Sequence, residues 1–540
     1  MAVLTRRLSK VLEKFGLLPD TQYGFRENRS ACHANLVLQE ATLYGGGPPS
    51  PTHAAFLDLS QAYDCVHRDT LFSIMTHMGL PQTFISHVRS IYQHACFCVR
   101  TPHGYTQITP YTRGLRQGCP MSPVLFNIYF SVCDLWLKQH APQSGKYLGI
   151  DELLQLLCYA DDGTLLSDTR QQLQQLVSCF QACCDRLYLS INIAPGKSGV
   201  VTFNHNRRAR AISTTIGKLE NCTQYTHLGV VFHKDGSWQK AYKLRFDKAK
   251  ASFEALKHEL RVHRLGDIWA VSMIFNAKVM STMLYGVQIW GWEKFADFEW
   301  LQNEWQSLQV RTIKSALHLP IGTPDIPIFL ESGMWPMMYY AVARTITFAG
   351  DLHLANSKWL DHLVSLNLPG GFNQRMQSII DLLPQQHTNE IDRLEQHFKD
   401  LLGAFAENPR EESVQARKLA SYLAWVWNDE LHRRPEFYKM NMSPAEYRLA
   451  LLARMMMVDV PMFSRANFQD RKCHLCQAQY GDLQHIVLEC AHFSTVRQSA
   501  LHTLHLDQPI TLSQLFTSTN PAAHKFIAQV LALYKAATGR

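Results

Sequence analysis

The chain has 540 residues, 46% of them hydrophobic and 18% charged, with a formal net charge of +8. That length allows several domains and more than one sizeable core, and the composition is that of an ordinary globular protein rather than a disordered or fibrous one. The 14 cysteines have no framed spacing and no secretory h-region precedes them, which predicts reduced thiols in an intracellular compartment; no apolar run is long enough to predict a membrane span.

MAVLTRRLSKVLEKFGLL opens the chain as a basic amphipathic helix, with Leu4, Leu8, Val11, Leu12 and Phe15 on one face. A mitochondrial transit peptide shares these features, but Glu13 and the continuity with the downstream segment favour an ordinary structural helix. Residues 31–44 read as a second helix, closed by the loop GGGPPSP at 45–51. HAAFLDLSQAYD comes next as an apolar strand turning into a helix, with Asp58 at the strand end. In LLCYADDGTLLS, residues 156–167, two short apolar strands flank Asp161 and Asp162, and Asp162-Gly163 is a two-residue hairpin signal. On that window alone a structural hairpin outranks a catalytic one. Residues 205–264 hold 13 Lys/Arg against 5 Asp/Glu, so the charge excess of the chain is concentrated there. A phosphate-binding surface and a solvated helix face both give that count. From about 240 to 350 the pattern is helical, and Trp269, Trp290, Trp292, Trp300 and Trp305 read as core. Helical periodicity continues from 351 to 459 without a chemical motif, VPMFSRANFQDRKC marks a boundary near 460, and no internal repeat is evident.

Three carboxylates on two neighbouring strands, Asp58, Asp161 and Asp162, would repel one another strongly if left unpaired. Two divalent cations would resolve that conflict. Magnesium takes oxygen ligands and retains waters and substrate phosphates, and a pair of such ions supports an in-line phosphoryl displacement.

AAFLDLSQAYD, GLRQGCPMSPVLFNIYF and YADD, in that order and spacing, resemble the palm motifs of reverse transcriptases. QYGFRENRS at 22–30 and STMLYGVQIW at 281–290 are similar to the non-LTR (LINE-type) retrotransposon branch, and the likeness covers roughly residues 1–320 before resuming at a C-terminal cysteine cluster. The resemblance implies that Asp58 and Asp161 are the principal ligands of two magnesium ions (manganese as a substitute), with Asp162 completing the site. It implies a gate against the ribose 2′-hydroxyl for Tyr63, for which a packed helix aromatic is the bland alternative. Gln117 and Gly118 match the segment lying against the incoming nucleotide and template. Lys197, in LSINIAPGKSGVVTF, would protonate or neutralise the departing pyrophosphate; a surface lysine at a turn is the alternative. QYTHLGVVF, around Leu228 and Gly229, resembles the hairpin that grips a primer terminus. Lys243, Arg245, Lys248 and Lys250 would then track a template–primer backbone from the thumb. KDGSW at 234–238 is similar to the first strand of ribonuclease H domains, but no downstream set of acids accompanies it, and the nuclease reading is rejected.

CHLCQAQYGDLQHIVLEC supplies Cys473, Cys476, His485 and Cys490 with C-x2-C-x8-H-x4-C spacing, suited to a tetrahedral structural zinc ion, with His474 and His492 as rival ligands. The spacing resembles the C-terminal zinc knuckle of non-LTR elements, a module that helps hold nucleic acid and leaves no open catalytic position.

The implied fold class is α/β: an α+β palm of the reverse transcriptase type, a helical thumb, a helical connector and a small zinc knuckle. The corresponding division is partial fingers and palm at 1–205, primer grip and thumb at 206–330, connector at 331–460, knuckle at 461–500 and a helical tail at 501–540. The expected activity is RNA-directed DNA synthesis, with an RNA template, a DNA primer or target and deoxynucleotide triphosphates as partners, no membrane, an open oligomeric state, and a nuclear location implied by the family, otherwise cytoplasmic. The chain begins after the place where the family carries a fingers motif with lysine and arginine, leaving Arg26 and Arg29 as fingers cations, and no endonuclease segment is present; it reads as an N-terminally truncated frame. The alternatives are a catalytically impaired nucleic-acid-binding relic and a maturase-like RNA-binding protein.

Overall fold

The computed structural model describes residues 1–45, 51–204, 211–263, 268–295, 304–316, 319–385, 389–407, 422, 442, 444–457, 472–478, 481–504 and 510–539. The expected boundary near 460, most of the GGGPPSP loop, Trp300 and the side chain of Trp269 lie outside the described residues. Two compact units are present: Met1–Leu244 with Gly286–Ala296 and Arg344–Ile380, and Arg245–Tyr285 with Asp297–Ala343 and Asp381–Arg540.

The first unit opens with helices α1 (Ala2–Lys14) and α2 (Ala31–Leu43), the latter started by the Ser30 side chain accepting from the His33 N–H. Strand β1 (Thr52–Leu57) leads through α3 (Ala62–Cys65), α4 (Arg68–His77) and α5 (Gln82–Gln93) to four two-residue strands, β2 (Cys96–Phe97), β3 (Arg100–Thr101), β4 (Gly104–Tyr105) and β5 (Thr109–Pro110). Helix α6 (Ser122–His140) has Pro123 in its first turn, where the missing N–H costs nothing. After it come β6 (Leu156–Tyr159), β7 (Asp162–Ser167), α7 (Arg170–Arg186) with a Thr169/Gln172 capping box, β8 (Gly199–Phe203), β9 (Ile212–Thr214), β10 (Gly217–Asn221), β11 (Gln224–His227), β12 (Val230–His233) and α8 (Gln239–His263).

Six strands form one sheet in the order β6-β7-β1-β8-β10-β9, antiparallel throughout except for β8 beside β10. Every residue of β1 is buried, the polar Thr52 and His53 included, and its apolar run Ala54–Leu57 suits a strand covered on both faces. Ala55 and Leu57 join the large core with Phe126 and Phe130 of α6 and Leu176, Val177 and Phe180 of α7. On the opposite face Phe56 stacks on Tyr225 of β11, ring centroids 4.3 Å apart. Helix α1 differs from expectation on one side. Leu8 and Leu12 are buried, but Val11 and Phe15 are exposed, because the face packed into the core is narrower than the apolar arc in the sequence.

The second unit is helical among the described residues. Buried Trp305 belongs to its core, while buried Trp290 belongs to the first unit. Glu331, fully buried, pairs with Arg454 at 2.8 Å and accepts from the Tyr422 hydroxyl at 3.1 Å. The helices Pro444–Arg454, Ser494–Leu504 and Pro521–Thr538 enclose a core that includes Cys473 and Cys490.

Candidate functional site

The sheet register builds the acidic site. In the antiparallel β1–β7 pair Leu57 faces Gly163, so the next residue of each strand end brings Asp58 beside Asp162. Tyr159 pairs with Asp162, which leaves Ala160 and Asp161 as the two-residue turn between β6 and β7. The hairpin is therefore present, but its turn lies two residues before the Asp162-Gly163 position that the sequence signals. Ala160 adopts φ +56, a left-handed conformation that costs an L-residue free energy and needs outside support.

That support comes from Gln22, the first residue of the QYGFRENRS segment, to which the sequence reading gave no role. Its buried amide spans the turn: Oε1 accepts from the Ala160 N–H at 2.8 Å, and Nε2 donates to the Ala160 carbonyl at 3.2 Å. The same Oε1 accepts from the Gly24 N–H at 2.8 Å. Backbone bonds from Tyr23 N to Cys158 O and from Cys158 N to Thr21 O, both 2.8 Å, dock this segment along β6. A Cβ at Gly24 would lie 2.3 Å from the Ala160 nitrogen, so only glycine permits the approach.

The electrostatics are those of crowded anions. Burial first, then the charges of Asp161 and Asp58, push Asp162 up to about 6, with Lys197 partly offsetting them. Burial and Asp58 also raise Asp161. Asp58 accepts from Asn192 Nδ2 at 2.8 Å and has Lys197 Nζ at 3.7 Å. Excess negative charge on oxygen donors that are half-buried at Asp58 and Asp161 and exposed at Asp162 is what a hard divalent cation relieves, so the donor set fits magnesium. Tyr225 borders the same anions. Burial, Asp162 and Asp58 push its hydroxyl up to about 12, and it donates to the Lys197 carbonyl.

A cleft of about 570 Å³ opens onto Asp161 and Asp162 and is lined by Tyr63, Arg116, Gln117 and Gly118. Tyr63 both faces the cleft and stacks on Phe126 with centroids 4.6 Å apart, so the packed aromatic and the cleft wall are one residue. Gln117 Nε2 donates to Asp64 at 3.3 Å, and Gly118 sits at φ +77, which favours glycine. Arg116 is the cation of this lining; it adjoins the Gln117-Gly118 motif, which was the signal available for finding it.

Arg26 and Arg29 depart from their expected role. Arg26 makes a two-pronged pair with Glu13, 2.8 and 2.7 Å, and Arg29 pairs with Asp20 and lies over the Tyr23 ring. Both guanidinium groups are buried and neither lines the cleft; each meets a carboxylate upstream, 13 residues away for Arg26 and 9 for Arg29. Arg245 also departs: it is buried with its guanidinium 4.3 Å from the Tyr285 ring centroid, whereas Lys243, Lys248 and Lys250 are exposed along α8. The β11–β12 hairpin forms as expected, turning at Leu228 (φ +45) and Gly229 (φ +79).

In the second unit Cys473, Cys476, His485 and Cys490 converge, with all four ligand atoms within 4.8 Å of one another. The Cys473 and Cys490 sulfurs are 3.9 Å apart, near the edge of about 3.8 Å that tetrahedral zinc–thiolate bonds of ~2.3 Å produce. Hydrogen bonds at Ala478 and from the cluster outweigh burial and bring Cys476 down to about 7, while burial pushes Cys490 up to about 12. His485 Nε2 points at Cys476 Sγ, 3.1 Å away, and Glu489 lies 3.6 Å from the other ring nitrogen, Nδ1, beyond hydrogen-bond length. Three thiols and one imidazole fit zinc.

Residues 1–232 match the family described as "Reverse transcriptase (RNA-dependent DNA polymerase)". The chain is 24% identical over 331 residues to the probable RNA-directed DNA polymerase from transposon BS of Drosophila melanogaster, covering 59% of this chain and 34% of that protein. It is 25% identical over 276 residues to the Pol polyprotein of retrotransposable element R2 of Nasonia vitripennis, covering 48% and 26%. The polymerase of the Drosophila melanogaster mobile element jockey is 23% identical over 51% of this chain and 30% of its own. The chain thus spans about a third or less of the length of these relatives. Among solved structures, apo telomerase from Candida tropicalis aligns at TM-score 0.34 and 12% identity over 66% of this chain and 60% of that one, a likeness too weak to inform the fold.

Proposed function

We propose that this chain, whose first 232 residues carry a reverse transcriptase domain similar to those of non-LTR retrotransposons, is an RNA-directed DNA polymerase. The observation that carries the reading is the convergence of Asp58, Asp161 and Asp162 at one end of a sheet, beside a cleft. The primer 3′-hydroxyl attacks the α-phosphorus of a deoxynucleotide triphosphate, forming one P–O bond while the bond to the bridging oxygen of pyrophosphate breaks. Asp58, Asp161 and Asp162 would hold magnesium, which would supply charge neutralisation to the reacting phosphate. Arg116 faces the triphosphate, Lys197 hands a proton to the departing pyrophosphate or neutralises it, and Tyr63 occupies the space that a ribose 2′-hydroxyl would need. Gln117 and Gly118 lie against the base pair being formed, and the β11–β12 hairpin holds the primer end.

The exposed Lys243, Lys248 and Lys250 offer phosphate contacts to a template–primer duplex, in a thumb beginning near residue 206. The Cys/His cluster is a structural zinc knuckle within 461–500 that adds a nucleic-acid contact, with a helical connector before it and a helical tail after it. Nuclear action is proposed, since the DNA target is there. No helix among the described residues is long and apolar enough to cross a membrane.

Template-directed extension of a DNA primer on RNA, with magnesium and four deoxynucleotides, tests this reading. A second reading, a binding protein with impaired turnover, is favoured by one observation: Arg26 and Arg29 are tied into internal ion pairs. Full template–primer binding without extension would support it.

A further inference from the structure

We propose that the exposed face of α1 is a track for the phosphate backbone of the nucleic-acid substrate. Arg6, Arg7, Lys10 and Lys14 are all exposed. At ~100° per residue they fall within an arc of about 100° on one side of the helix. Among residues 1–18 the sole acid is Glu13, and it is engaged by Arg26 at 2.7 Å. None of the four cations makes an ion pair among the described residues, and none of those residues supplies the stripe with a paired countercharge.

A polyanion with a regular charge repeat is the occupant that this stripe complements, and the contact is to backbone, blind to base sequence. An anionic membrane is the competing partner for a basic amphipathic helix, but insertion needs the apolar face. Most of that face is committed: Leu8 and Leu12 are buried in the core of the first unit with Leu4 packed against it, while Val11 and Phe15 stay exposed. With its leucines held in the core, the helix cannot turn its full apolar face to a bilayer, and the vesicle arm of the test reads what the exposed Val11 and Phe15 contribute.

This inference rests on the nucleic-acid reading above, yet its test needs no turnover, so its failure and the failure of primer extension are separate results. Binding of a fluorescein-labelled RNA template–DNA primer duplex to the full chain is measured by anisotropy across a salt series, for wild type and the double variant Arg7→Gln/Lys10→Gln. Each lost phosphate contact makes the slope of log K against log salt shallower by about 0.7–0.9. The double variant is expected to lose about 1.4–1.8 from the slope for any duplex sequence, and Arg7→Lys/Lys10→Arg is expected to keep the wild-type slope. Equal slopes and affinities for wild type and the Gln variant would overturn the proposal. So would a Gln variant that binds duplex normally but fails to bind phosphatidylserine vesicles that wild type binds.

Discussion

Gln22 illustrates how one side chain can set a site from a distance. Its amide meets both polar groups of the Ala160 peptide, and that peptide carries the left-handed φ placing Asp161 at the turn. Gln22→Met keeps most of the volume but leaves the Ala160 and Gly24 N–H groups without their acceptor; each such buried orphan costs about 1–3 kcal/mol. The expected outcome is a lower unfolding free energy in urea, together with at least a tenfold loss of kcat for primer extension while template–primer affinity holds. Equal losses in both would mark Gln22 as a general packing residue instead. The candidate carboxylates were legible in the sequence because their chemistry depends on residue type and order. The role of Gln22 was not, because QYGFRENRS marks the segment but its partner in the turn lies 138 residues away. The ion pairs of Arg26 with Glu13 and of Arg29 with Asp20 were not legible either, because only the fold brings those charges together.

At the scale of elements, the strands were read well where burial dominates. The apolar run Ala54–Leu57 of β1 announces a central strand, and Leu228-Gly229 between β11 and β12 takes the positive φ values that a tight hairpin requires. The turn between β6 and β7 was misplaced because its register is imposed by pairing with β1 and by Gln22, neither of which a window of twelve residues contains. The β11–β12 hairpin is joined to α2 by His227, whose Nδ1–H donates to Asn35 Oδ1 at 2.7 Å. Burial pushes His227 down to about 3, so it stays neutral in the folded protein. The unfolded chain protonates this residue near 6.5, so its contribution is fully present above that pH and is lost as pH falls below it. The stability advantage of wild type over His227→Gln should shrink by about 1.4 kcal/mol per pH unit as pH falls from ~6.5 to ~5. A gap constant across that range, in denaturant melts at each pH, would contradict the buried neutral imidazole.

Across the whole molecule, the two units call for different metals: oxygen donors in the first, sulfur and imidazole in the second. A zinc-selective chelator should release one zinc per chain and lower the unfolding temperature of the second unit, whose core contains Cys473 and Cys490. The first unit should keep its transition, because its acidic site lies at a sheet end while its core is apolar. Calorimetry with metal analysis distinguishes this from a chelator-insensitive chain, which would remove zinc from the account. The central claim concerns the first unit alone. Its most direct test is primer extension on an RNA template with magnesium and deoxynucleotides, comparing wild type with Asp161→Asn, with template–primer binding measured in parallel. The account predicts extension by wild type, loss of at least a thousandfold in the variant, and unchanged binding. Extension that survives in Asp161→Asn, or that is absent from wild type while binding is intact, would contradict it.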